Sequence, residues 1–243
     1  MSRLFVGTSG WAYPSWKPEF YPEKLPQKNF LKYYATQLNT VEVNFTFRQL
    51  VKETTIEKWL NETPQEFRFG IKAHQVITHI KRLKATEDFV KRFLGTIEAL
   101  ARAERLGPVL FQLPPNLKAD RELLETFLAT IPRGLRAAFE FRHTSWFGDD
   151  IFHMLRECNI ALCVAETEER TTPDVVTADF CYYRFRKPTY TPTNAATWST
   201  AYKSTSAKIA TCSPTSSTKK HRKGRYTPWK CWAALRSNRR EHG

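Results

Sequence analysis

The sequence feature that most restricts the possible folds of this chain is the alternation of strand-like and helix-like segments over residues 1–192. Short apolar or alternating stretches predict seven strands, at residues 4–6, 40–46, 68–72, 109–113, 137–141, 161–164 and 182–185. Amphipathic periodicity predicts helices between them, at residues 29–37, 55–62, 86–105, 120–130 and 149–158. Strands that alternate with helices pair in parallel through crossover connections. We therefore expect an α/β fold, a TIM-type (β/α) barrel that is incomplete because only seven strands are recognisable.

Composition narrows the class of protein. The 243 residues suit one barrel domain, and 41% of them are apolar, enough for a sizeable core. No apolar run approaches the ~20 residues of a membrane span, and the N-terminal residues lack the pattern of a secretory signal. The five cysteines form no C-x-x-C pair, which favours reduced thiols. These features predict a cytoplasmic protein without a membrane partner, and they do not predict an oligomeric state.

Polar side chains gather at the C-terminal ends of the predicted strands, where a barrel places its active site. Successive side chains of a strand point to opposite faces, so that residues two apart share a face. On this basis we group the following residues on shared strand faces: Glu42, Asn44 and Thr46 on the second strand, Gly70 and Lys72 on the third, Leu110 and Gln112 on the fourth, Glu140 and Arg142 on the fifth, Leu162, Val164 and Glu166 on the sixth, and Tyr182, Arg184 and Arg186 on the seventh. The pattern predicts a polar pocket for a ligand or, alternatively, a structural plug of ion pairs.

The residue types in this predicted pocket favour an anion. Lys72, Arg142 and Arg184 would bind a phosphate or carboxylate group. Glu42 and Glu140 are the candidates for an acid and a base, and Lys72 is a candidate amine nucleophile. Each of them would serve equally well as a partner in a salt bridge.

Further candidate ligand-binding residues lie near the strand ends. The run Gly7-Thr8-Ser9-Gly10 could offer backbone N–H groups from Gly7 and Ser9 to an anion, or its glycines could simply permit a tight turn. His79 and His143 follow predicted strands, and Trp146 could form a wall for a ring or pack beneath a loop. No H-x-x-x-H or H-E-x-x-H spacing, P-loop or G-x-G-x-x-G motif occurs, so we expect no metal and no cofactor.

Several stretches resemble, in order and spacing over residues 4–190, the YecE-like family, a domain family of unknown function. They are Gly7-Thr8-Ser9-Gly10-Trp11, Thr40-Val41-Glu42-Val43-Asn44, Phe111-Gln112-Leu113-Pro114-Pro115, and Glu140-Phe141-Arg142-His143 with Ser145-Trp146. The resemblance implies a TIM-type barrel and no particular reaction.

The pattern stops after residue 192, and residues 193–243 form a basic segment rich in Thr, Ser, Lys and Arg. This segment holds 11 of the 38 Lys and Arg residues but one of the 24 acidic residues, so it carries most of the net charge of +14. One hypothesis is that the segment is translated out of frame and disordered, because residues 214–232 can be re-read in the next frame as a strand and a helix similar to the end of the YecE-like family. The alternatives are a native tail that binds nucleic acid and a solvated disordered segment.

Two classes of function follow from these observations. The first is a YecE-like barrel protein that binds an anionic small molecule and could be an enzyme of unknown reaction. The second is a binding module for nucleic acid or protein that performs no chemistry.

Overall fold

A computed structural model of the protein describes residues 3–166, 172–186 and 207–212, and in these ranges eight parallel strands close into a barrel. The strands are β1 (Arg3–Ser9), β2 (Thr40–Val43), β3 (Arg68–Lys72), β4 (Leu106–Gln112), β5 (Ala137–Glu140), β6 (Ala161–Glu166), β7 (Phe180–Phe185) and β8 (Ala207–Cys212). Each strand pairs with the next along the chain, and β8 pairs with β1. The predicted TIM-type barrel is confirmed.

Helices cover the outside of the first part of the barrel. They are α1 (Phe30–Gln37), α2 (Glu53–Glu62), α3 (Glu87–Thr96), α4 (Glu98–Arg102), α5 (Arg121–Leu128) and α6 (Asp149–Glu157). The single helix predicted for residues 86–105 is divided at Ile97, whose backbone leaves the helical region with φ −110° and ψ 6°. Asp120 begins α5 as its N-cap, because its carboxylate accepts a hydrogen bond from the Leu123 amide at 3.0 Å. No helix of the described residues is both long and apolar enough to span a membrane.

The eighth strand corrects one expectation from the sequence. The sequence predicts a barrel left incomplete by its seven recognisable strands, but β8 fills the gap between β7 and β1 and pairs with β7 from Phe180 opposite Ala207 to Phe185 opposite Cys212. In the described residues, no helix lies between β6 and β8. Except for β8, the segment 193–243 and the hypothesis of an out-of-frame tail lie outside the described residues.

Two apolar cores flank the strands. Inside the barrel lie Phe5, Leu110, Ala138, Ala161, Cys163, Phe180, Tyr182 and Ile209. Between strands and helices lies a larger core, in which the rings of Phe111 and Phe139 stack at 5.2 Å. Leu162 belongs to this outer core, so the face that we selected on the sixth strand is the outer one. The inner face of β6 contributes Ala161 and Cys163, which are small and apolar, and this strand therefore adds no charge to the interior.

Candidate functional site

An ion triad crosses the C-terminal end of the barrel. Arg184 on β7 donates a hydrogen bond from Nη2 to Oε1 of Glu42 on β2 at 2.5 Å, and another from Nη1 to Oε2 of Glu140 on β5. The three side chains are at most 3% exposed. The sequence placed all three at strand ends, and the structure brings them together in one buried cluster.

Hydrogen bonds extend this triad to further strands. Ser9 on β1 and Tyr182 on β7 donate through their hydroxyl groups to Glu42, at 3.0 and 2.8 Å. Gln112 on β4 donates from Nε2 to Oε1 of Glu140 at 2.8 Å, and its Oε1 accepts a hydrogen bond from Nζ of Lys72 on β3, also at 2.8 Å. The result is one network of seven side chains from six strands.

The charge of Arg184 determines the ionisation of both carboxyl groups. Burial raises the pKa of Glu42, but the guanidinium of Arg184 outweighs this effect and lowers that pKa to about 2. The pKa of Glu140 is likewise raised by burial but lowered overall, first by the charge of Arg184 and then by that of Arg186. Both groups are therefore carboxylates at neutral pH, and neither holds a proton that it could donate as a general acid.

Lys72 differs from the triad because, in the part of the chain that the structure describes, it forms no ion pair with an acidic residue. Its ammonium group contacts the amide of Gln112 and the ring of Phe47, whose centroid lies 4.2 Å from Nζ. Among the described residues, no carboxylate lies within 4.0 Å of Nζ. Burial and the positive charge of Arg184 together lower the pKa of Lys72 to about 8.

Other cationic side chains face the same region. Burial lowers the pKa of His79, and the charges of Lys72, Arg142 and Arg82 lower it further. The ring of His79 packs edge-on against Phe47 at 4.9 Å. A histidine with a lowered pKa is neutral at pH 7. The positive charge of this region therefore comes from Lys72, Arg82 and Arg142, which we call the cationic rim.

The loop that follows β3 has a strained backbone. It contains a π-helix at Val76–Ile80, and beyond it Arg82, Leu83 and Ala85 have φ angles of 50°, 69° and 46°. Residues other than glycine rarely adopt such left-handed backbone conformations, each of which costs about 1 kcal/mol. The loop places Arg82 at the rim, where its Nη2 donates to Oδ1 of Asn116 at 3.1 Å. Strain of this kind concentrates where a loop must present particular side chains.

Three other predicted residues have clear local contacts in the structure. Gly7 lies within β1, and a Cβ atom there would come 2.0 Å from the backbone oxygen of Thr40, so its glycine is needed for the close approach of β1 and β2. Trp146 is fully buried, and its indole donates to the backbone oxygen of Leu117 at 2.8 Å. It packs beneath the loops instead of forming a wall of the site. His143 precedes a short 3₁₀ helix, and its Nδ1 lies 2.8 Å from Oγ of Ser145.

Asn44 is in the loop after β2, because that strand ends at Val43 instead of continuing to residue 46. Its Oδ1 is buried and makes no hydrogen bond within the described residues. Arg142 is half-buried beyond the end of β5, close enough to His79 to lower its pKa. Among the described residues, no three side chains of His, Cys, Asp or Glu are grouped as a metal site would require.

Sequence reasoning grouped Tyr182 with Arg184 on one face of the seventh strand without naming it as a site residue, and it did not select Phe47 or Arg82. Tyr182 precedes Arg184 by two positions, so strand alternation was a sufficient signal for it. Phe47 and Arg82 are in loops, where no periodicity shows which way a side chain points.

Comparison with known proteins assigns the family. Residues 5–225 match the family described as "Protein of unknown function DUF72". The chain belongs to the DUF72 family. It is similar to the UPF0759 protein YecE of Escherichia coli K12, with 32% identity over 59% of this chain and 50% of that protein. It is also similar to the UPF0759 protein YunF of Bacillus subtilis 168, with 27% identity over 61% of this chain and 54% of that protein. The chain thus matches about half the length of these curated relatives, and the resemblance to a YecE-like family is confirmed.

Solved structures of DUF72 family proteins agree with the fold. A crystal structure from Thermotoga maritima MSB8 has a TM-score of 0.74 and 26% identity, and the match covers 87% of this chain and 92% of that one. A second, from Enterococcus faecalis V583, has a TM-score of 0.76 and covers 99% and 98% of the two chains. Because its identity is only 15%, this second likeness concerns the fold alone.

Proposed function

We propose that the C-terminal mouth of this DUF72 barrel binds an anionic small molecule that carries a phosphate or carboxylate group. The observation that carries the proposal is the excess of positive charge around Lys72. Glu42 and Glu140 share their negative charges with Arg184, and no carboxylate within 4.0 Å is left for Lys72 in the described residues. A ligand that supplies a negative charge there would compensate a half-buried cation.

The residues have different roles in this proposal. Lys72 and Arg142 contact the anion, and Arg82 adds positive charge from the strained loop. Arg184 does not contact the anion, because two of its nitrogens already bind carboxylates. It is a positioning residue, which acts by keeping Glu140 ionised and in place.

The network favours a defined position for Lys72. Glu140 accepts from Nε2 of Gln112, so the Oε1 atom of Gln112 is directed at the ammonium group of Lys72. Ser9 supports the other side of the network through Glu42. A group held by a chain of buried hydrogen bonds loses little conformational freedom when a ligand binds, which favours affinity.

A thermal-shift experiment with inorganic phosphate and pyrophosphate tests the proposal. At constant ionic strength, either anion should raise the Tm of the wild-type protein, since a ligand that binds only the folded state stabilises it. The rise should disappear in Lys72→Met. Lys91→Met is the matched control, because it removes the same charge from an exposed position on α3 and should keep the full shift.

Equal shifts in Lys72→Met and Lys91→Met would contradict the proposal, as would the absence of a shift in the wild-type protein. The same variants can be titrated with a single-stranded oligonucleotide. Binding of the oligonucleotide alone, insensitive to Lys72→Met, would instead favour a nucleic-acid-binding module.

A further inference from the structure

Lys72 has the surroundings of a reactive amine. It ends β3, and its Nζ lies between a neutral amide and an aromatic ring, the contacts to Gln112 and Phe47 described above. The side chain is half-buried, and the charge with the largest effect on its pKa is the cation of Arg184, whose effect is larger than the opposite effect of either Glu42 or Glu140. Desolvation and a neighbouring cation are the two means by which proteins convert the ammonium group of lysine into a nucleophilic amine.

The hydrogen bond to Gln112 leaves the lone pair of that amine accessible. Because Nε2 of Gln112 donates to Glu140, the atom of this amide that faces Lys72 is the acceptor Oε1. The amine of Lys72 therefore donates an N–H in this contact, and its lone pair stays available. A carboxylate in the same place would favour the ammonium form and suppress its reactivity.

From these contacts we infer that Lys72 forms an imine with the carbonyl group of an anionic substrate, such as a 2-oxo acid or a phosphorylated aldehyde or ketone. This inference rests on the proposed function, because the anionic group of the substrate would be held at the cationic rim by Arg142 and Arg82. It adds that the substrate has a carbonyl group within reach of Nζ.

The step balances without a further reactant. The neutral amine adds to the carbonyl carbon, and the carbonyl π bond breaks. One proton moves from nitrogen to the new hydroxyl oxygen. The carbinolamine then loses water, whose two hydrogen atoms come from the amine, and a C=N bond to Nζ remains.

The amine form is populated near neutral pH. With a pKa of about 8, about one-tenth of the Lys72 side chains are neutral at pH 7, against about one in three thousand for an ordinary lysine. Lys91, which is exposed on α3, serves as an internal reference in the same protein.

Reductive trapping tests this inference. The protein is incubated at pH 7 with glyoxylate and sodium cyanoborohydride, and the modified lysines are located by peptide mass spectrometry. We expect one carboxymethyl group on Lys72, gained at least about ten times faster than on Lys91. Inorganic phosphate should slow the reaction at Lys72 and leave that at Lys91 unchanged.

Two comparisons separate this inference from the proposed function. Acetaldehyde has the carbonyl group without the negative charge, so its preference for Lys72 should be weaker than that of glyoxylate. Lys72→Arg keeps a positive charge but forms no imine under these conditions. It should retain the thermal shift with phosphate and show no adduct at position 72.

The possible results fall into distinct cases. If phosphate stabilises the wild-type protein but glyoxylate modifies Lys72 no faster than Lys91, imine formation is overturned and anion binding stands. If glyoxylate and acetaldehyde both label Lys72 rapidly and phosphate gives neither protection nor a thermal shift, anion binding is overturned. Because the wild-type measurement needs no variant, poor folding of Lys72→Arg would not affect either conclusion.

Discussion

Replacing Arg184 with methionine should strongly destabilise the folded protein. The change removes the cation that neutralises Glu42 and Glu140 and leaves two buried carboxylates close together. Removing one partner of a buried ion pair typically costs about 3–5 kcal/mol, because the remaining charge is then uncompensated. The pKa of Glu42 gives a similar figure, since the difference between 4.5 and about 2 corresponds to about 3 kcal/mol.

The cost should depend on pH in a defined direction. The folded-state pKa of Glu42 lies below its value in the unfolded chain, so its stabilising contribution is complete above pH 4.5 and is lost as the pH falls towards 2. In Arg184→Met, burial without the cation should raise the pKa of Glu42 and Glu140 above 4.5. Stability of the variant should then fall as the pH rises from about 4.5, opposite to the wild-type contribution.

Urea unfolding at pH 7 and pH 4, followed by tryptophan fluorescence, measures this cost. Arg102→Met is the matched control, because Arg102 forms only an exposed ion pair with Glu53 at 3.7 Å, and its removal should cost less than about 1 kcal/mol. We expect the difference between wild type and Arg184→Met to be larger at pH 7 than at pH 4. A cost below about 1 kcal/mol at pH 7, or one that is the same at both pH values, would refute this reasoning.

Four further variants test local features of the structure by urea unfolding. Gly7→Ala should lower the free energy of unfolding by about 3 kcal/mol or more, because the new Cβ would overlap the backbone of Thr40. Gly95→Ala in α3 places its Cβ more than 4 Å from any atom beyond the adjoining residues and helix backbone, so it should raise the free energy of unfolding by about 0.5–1 kcal/mol. Equal effects of the two alanines would contradict the packing. Asp120→Ala should cost about 1 kcal/mol through loss of the N-cap of α5, and an unchanged unfolding midpoint would argue against that role. Lys72→Met should raise the free energy of unfolding by about 1 kcal/mol below pH 8. This gain should decline between pH 8 and 10.5, because the folded lysine of the wild type loses its proton near pH 8 and the unfolded lysine only near 10.5. Destabilisation at pH 7 would show that the ammonium is compensated.

Strand alternation explains how much of the site could be predicted from the sequence. It placed Glu42, Lys72, Gln112, Glu140 and Arg184 at the ends of five strands, and the structure joins these same side chains in one network. The sixth strand was assigned the wrong inner face. Its stretch 161–166 has apolar residues at both parities, so alternation did not distinguish the interior from the outer layer.

Which charged side chains pair across the barrel was beyond sequence reasoning. Arg184 was a candidate both for binding a ligand anion and for a salt bridge within the cluster. It is more than 40 positions from either carboxylate, and only the closed barrel shows that both bind it. The position of Trp146, either as a wall of the site or beneath a loop, could not be decided from the sequence either. Its burial against Leu117 depends on how two loops pack, which the composition of either loop does not determine. The strand β8 was missed because the segment 193–243 has no clear periodicity.

The most direct test of the central claim is an NMR titration of the Lys72 amine with and without inorganic phosphate. With lysine labelled with ¹³C at Cε, each lysine side chain gives its own resonance. The resonance that is missing from the spectrum of Lys72→Arg is that of Lys72. We predict a pKa of about 8 without phosphate, and a higher value when phosphate is bound, because an anion stabilises the ammonium form. An ordinary lysine pKa that phosphate leaves unchanged would contradict the claim that Lys72 is an uncompensated cation at an anion-binding site.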